Sequence, residues 1–92
     1  MLVKLMQVER GLRGGTSTLK VIFLNPSHIV SVSEDLASKK TILKETPDLG
    51  LSPEVQFSKV VIQEGTVSKS LIIVGPPWEI HQKLKKQQVL RG

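Results

Sequence analysis

Two histidines, eight carboxylates and no cysteine bound the chemistry open to this chain of 92 residues. Without a thiolate there is no disulfide framework, no cysteine nucleophile and no zinc site built on sulfur. A metal would need His28 or His81 together with acids such as Glu34, Asp35 or Glu79. His81 lies two residues from Glu79, a spacing that sends the two side chains to different faces of a helix. Ser27 and His28 are adjacent, as are Glu34 and Asp35, and neighbours in an extended segment project to opposite sides. Neither pair makes a nucleophile with its base, or two acids sharing a proton. The expectation is a chain with no catalytic residue, no metal and no cofactor.

Charge points to binding instead. The net charge is +5, and it is concentrated at the two ends. Residues 1–20 carry Lys4, Arg10, Arg13 and Lys20 against Glu9, residues 21–79 are acidic on balance, and residues 80–92 carry Lys83, Lys85, Lys86 and Arg91 with no acid. Such basic segments favour a phosphate backbone, an acidic protein or an anionic membrane surface, or they form a solvated helix face. The candidate contacts are therefore Lys83, Lys85, Lys86, Arg91, Arg10 and Arg13. Proteins that bind single-stranded nucleic acid stack bases on exposed rings, and this chain has only Phe23, Phe57 and Trp78. Both phenylalanines sit among aliphatic residues and are expected in the core. Duplex binding through phosphates stays open.

These residues need a scaffold, and the stretch 19–34, LKVIFLNPSHIVSVSE, is the part around which one can form. Val21, Ile22 and Phe23, then Ile29, Val30 and Val32, are β-branched or aromatic and favour a pleated surface. Pro26 fixes its own φ, lacks an N–H and pushes Asn25 out of the helical region, so the first run must stop there. Strand, corner, strand is the reading, with Val30 and Val32 on one face and Ser31 and Ser33 on the wet one.

Before it, residues 2–8 form a first strand with apolar residues on both faces, followed by the glycine-rich loop 10–16. That loop lacks the Lys-Ser/Thr pair and the following helix of a phosphate-binding loop. After it, residues 34–40 read as a polar turn, 41–44 as a short strand, and 45–53, with Pro47, Pro53 and Gly50, as a surface excursion. Residues 55–63 and 67–74 flank Glu64-Gly65 as a hairpin. Its second strand ends in Leu71-Ile72-Ile73-Val74, a continuous apolar run expected at the centre of the sheet. Pro77 then opens a helix over residues 77–88, with Trp78, Ile80 and Leu84 locking it onto the sheet.

The segments FLNPSHIVSVSED and LIIVGPPWEIHQKL resemble the small flagellar proteins of the FlbD/SwrD type and the short bacterial and phage proteins sharing their pattern. There an asparagine-centred run and isoleucine-rich strands lead to a closing segment of the form V-x-E-S-x-x-E-I-x-x-x-I. Leu24, Asn25, Pro26, Ser27, His28 and Ile29 match the first part, and Val74, Pro77, Glu79, Ile80 and Leu84 the second. About half the chain is covered, and this chain inserts residues 44–57 and a long first loop where those proteins are compact. The resemblance implies a small β fold with a terminal helix and transfers no catalytic residue.

Taken together, the expectation is one domain over residues 1–92 of β-rich α+β class. It is a small antiparallel sheet or partly open barrel of five to six strands over residues 2–74, closed by one C-terminal helix. Its function is that of a non-enzymatic binding or adaptor module of bacterial or phage type, meeting a protein partner or itself, with Asn25, Pro26, Trp78, Ile80 and Leu84 as structural anchors. The alternative is a nucleic-acid-binding regulator. No apolar run reaches the roughly 18 residues of a membrane span, and Lys4 and Gln7 interrupt residues 1–8 as a signal peptide, so no membrane and a cytoplasmic location (the host's, if phage-encoded) are expected.

Overall fold

The computed structural model describes residues 2–9, 17–45, 51 and 54–91, without the side chains of 45 and 86–91. The elements in chain order are β1 (Val3–Glu9), β2 (Thr18–Leu24), a 3₁₀ turn (Pro26–His28), β3 (Ile29–Glu34), α1 (Leu36–Glu45), β4 (Phe57–Glu64), β5 (Val67–Val74) and α2 (Pro77–Arg91). The strands make one antiparallel sheet in the order β2-β1-β5-β4-β3. The β-rich α+β class therefore holds, with five strands. The run Leu71–Val74 ends the central strand, as its unbroken apolar character requires.

The Asn25-Pro26 corner is also as expected. Pro26 takes the first position of the 3₁₀ turn, and Asn25 Oδ1 accepts the Ser27 backbone N–H at 3.0 Å and its hydroxyl at 2.8 Å. Yet the corner joins the two outermost strands, which share no hydrogen bonds. A flat sheet would hold β2 and β3 four strand spacings apart, about 19 Å. The step from Leu24 to Ile29, three of its residues in a 3₁₀ turn, spans only about 13 Å. The sheet must curl. Leu24 from one edge and Ile29 from the other pack against the same cluster of Val3, Leu5, Val60, Ile62, Ile73 and Ile80, so this face is the concave one.

The hairpin between β4 and β5 closes through Gly65-Thr66, with Glu64 paired to Val67. Gly65 has φ +62°, the left-handed conformation a two-residue hairpin turn demands. Gly75, at φ +121°, ends β5. Its N–H donates to the Gln56 carbonyl at 2.7 Å and its own carbonyl accepts the buried Ser58 hydroxyl at 2.8 Å, so the turn into α2 is tied both to β4 and to the residue that precedes it.

Three expectations are corrected. Residues 34–44 are not a turn and a short strand: Leu36–Glu45 is a helix, so the sheet carries a helix on each face rather than one in all. Asp35 begins it, its carboxylate accepting the Ser38 N–H at 3.0 Å as an N-cap does. Among its described side chains only Ile42 is buried, against Val8 and Phe57 on the convex face. Second, Val30 and Val32 do not share a face. Ile29 pairs with Ile62 but Ser31 with Val61, so Val30 is the extra residue of a β-bulge and is 60% exposed. One inserted residue reverses the parity, and Ile29 and Val32 turn to the core together. Third, Phe57 is buried but Phe23 is 59% exposed. Phe23 shares its parity with Leu19 and Val21, on the side of β2 away from the concave core that Ile22 and Leu24 face.

Candidate functional site

The residues singled out for chemistry do not converge. His28 sits exposed on the 3₁₀ turn and His81 exposed on α2. The Ser27 hydroxyl is donated to Asn25, an ordinary turn bond that leaves it no base. Glu34 is exposed at the end of β3 while Asp35 caps α1, and Glu79 in the first turn of α2 lies near Gly75. Among the described residues no three His, Cys, Asp or Glu side chains gather as a metal would require.

The basic residues are partly placed. Lys83 and Lys85 are exposed on α2. Lys86 and Arg91 belong to the same helix, but their side chains, like all of Arg10 and Arg13 and the loop 10–16, lie outside the described residues. The helix runs three residues further than the span 77–88. It is fixed by Ile80, which is fully buried, and by Leu84, packed at the margin of the same cluster. Trp78 is not the anchor it was expected to be. It is 68% exposed, because the turn at Gly75 and the caps at Pro76 deliver Ile80 to the core and leave residue 78 on another side of the helix. No helix among the described residues is long and apolar enough to cross a membrane.

What the structure brings together instead is apolar. On the convex side of the β1–β2 hairpin, Met6 stands directly opposite Val21 and Lys4 opposite Phe23, and Leu2 continues the parity of Lys4 and Met6. Leu2, Met6, Val21 and Phe23 are all exposed, while their neighbours of the other parity, Val3 and Leu5, are buried. Met6 and Val21, directly opposite, are about 4.5–5.5 Å apart at Cβ, and Phe23 is the diagonal neighbour of Met6 at about 7–8 Å; Lys4 stands between Leu2 and Met6, so the apolar surface has one lysine within it. The patch exists because α1 covers only one end of this face. Its Ile42 reaches Val8 and Phe57, with Leu19, Ile72 and Val74 at the margin. Beyond Leu19 on β2 the apolar alternation continues and the helix does not.

β2 is also an edge strand. It pairs with β1 over all seven residues and, among the described residues, with no strand on its other side. Its one ionised side chain, Lys20, makes an exposed ion pair with Glu9 across the ladder, 3.6 Å apart. No family model matches the chain, and it matches no curated protein and no solved structure. In the sequence the signal of this surface is the alternation Leu19, Val21, Phe23, which fixes that these residues share a face but not whether that face is covered.

Proposed function

We propose that this protein is a non-enzymatic binding module that acts through protein contacts in the cytoplasm of a bacterium or a phage-infected cell. The contact surface is the convex face and open edge of the β1–β2 hairpin. The observation that supports this is the run of exposed apolar side chains, Leu2, Met6, Val21 and Phe23, beside an unpaired strand edge. Contiguous exposed apolar surface next to free backbone donors and acceptors is the setting in which sheets recruit another chain.

A second reading assigns binding to phosphates through α2, where Lys83 and Lys85 are exposed. One experiment separates the two. Capture of partners from the source cell lysate is compared for the native chain, for a double variant Met6→Asp, Phe23→Asp, and for a triple variant Lys83→Glu, Lys85→Glu, Lys86→Glu. Loss of capture in the double variant alone supports the hairpin surface. Loss in the triple variant alone, with duplex DNA binding that falls steeply as salt is raised, overturns it in favour of phosphate recognition.

A further inference from the structure

We infer that the occupant of the β2 edge is the β2 strand of a second copy of this chain, joined across a two-fold axis at Val21 into one continuous sheet; this rests on the hairpin surface proposed above. The argument is the symmetry of the strand's own chemistry. In an antiparallel register centred on Val21, Val21 meets its own counterpart, Leu19 meets Phe23, and Lys20 meets Ile22. Every residue then lies on the same face as its partner, as an axis normal to the sheet requires. All three pairings of Leu19, Val21 and Phe23 are apolar with apolar, the arrangement cross-strand pairs favour.

Charge agrees with this register. Lys20 is the one ionised residue of β2, and it falls opposite Ile22 rather than opposite the other copy's lysine, with its own charge balanced by Glu9 in the same chain. Moving the axis by one residue to Lys20 would set two lysines face to face. The register takes in all seven residues of β2, with Thr18 meeting Leu24 at its ends, and leaves the Asn25-Pro26 corner outside it. A strand edge of this length, with Met6 and Phe23 beside it, buries less than the roughly 1,200 Å² of standard interfaces, so the dimer is reversible and concentration-dependent.

The test is the solution mass of the full chain across a wide concentration range by sedimentation equilibrium or light scattering. The expected result is a rise from 10.2 kDa toward twice that mass. Val21→Lys brings two like charges together at the axis and weakens association roughly tenfold or more. Val21→Glu does the same, and an equimolar mixture of the two variants restores the dimer, because opposite charges then meet. Circular dichroism verifies that both variants fold. A mass of 10.2 kDa at every concentration overturns the inference, as does a Val21→Lys chain that associates like the native one. If the native chain is monomeric while Met6→Asp, Phe23→Asp still abolishes partner capture, the second copy is wrong and the binding surface stands. If neither association nor capture depends on these residues, both fail.

Discussion

The two edges of the sheet are finished differently. β3 is six residues long, interrupted by the bulge at Val30, faced outward by Ser31 and Ser33, ended by Glu34, and flanked by α2. β2 is seven residues long, unbulged, and shows Val21 and Phe23 to solvent. Bulges and outward-facing polar side chains are among the ways proteins keep an edge from pairing with other chains; β3 has both, while β2 has no bulge and shows Val21 and Phe23 on one side, its Lys20 lying on the other and paired with Glu9. Since one sequence makes both edges, the bareness of β2 is a local property of that strand rather than of the whole composition. That difference is what assigns contact to one side of the molecule.

The contrast supposes that both edges belong to one cooperative unit, and the largest expected effect tests this. Ile73 is fully buried in β5, the strand between the hairpin carrying β2 and the pair carrying β3. Ile73→Ala should cost about 2–5 kcal/mol in urea denaturation and shift a single transition. Two separate transitions would divide the edges into independent parts. Next, Gly75→Ala forces a side chain into φ +121° and sets its Cβ 3.1 Å from Glu79 Oε2. A loss of about 1–3 kcal/mol is expected, and because the link between β4 and α2 is disturbed, hydrogen exchange in β3 should rise more than in β2. Asn25→Ala removes the acceptor for Ser27 at the corner joining the edges, with an expected loss of about 1 kcal/mol. Smallest in stability, and sharpest for the comparison, are Val21→Lys and Val30→Lys, whose parent side chains are 45% and 60% exposed. Both should stay within about 0.5 kcal/mol of the native chain. Only the substitution in β2 should change association; equal effects would erase the distinction between the edges.

Much of the scaffold was legible because particular residues leave the backbone little choice. Pro26 had to end β2, Gly65 had to make the β4–β5 turn, Pro77 suited the first turn of α2, and four consecutive aliphatics had to be central. The helix Leu36–Glu45 was not legible from periodicity. Of its apolar residues only Ile42 is buried and Leu36 is exposed, so no stripe repeats every three or four positions. The local mark of this helix is Asp35 as an N-cap, while the β-branched pair Thr41-Ile42 favours a strand. The bulge at Val30 leaves no mark in composition, and with it went the assignment of faces in β3. For the candidate site, the strand was readable, but the exposure of Phe23 depends on where α1 stops, and that of Trp78 on how the turn at Gly75 sets the phase of α2. Both are set by tertiary packing that no local pattern records.

The order β2-β1-β5-β4-β3 also governs how the protein is made. The ribosome releases the middle strand last of the five, so the β1–β2 hairpin and the segment from β3 to β4 emerge with no common partner. An isolated hairpin is marginal in water, and the contacts of β1 with β5 span some sixty residues of sequence, which slows their formation. Folding on the ribosome must therefore wait for Val67–Val74. A nascent chain halted before that point would hold a bare apolar hairpin, the kind of surface a chaperone takes up.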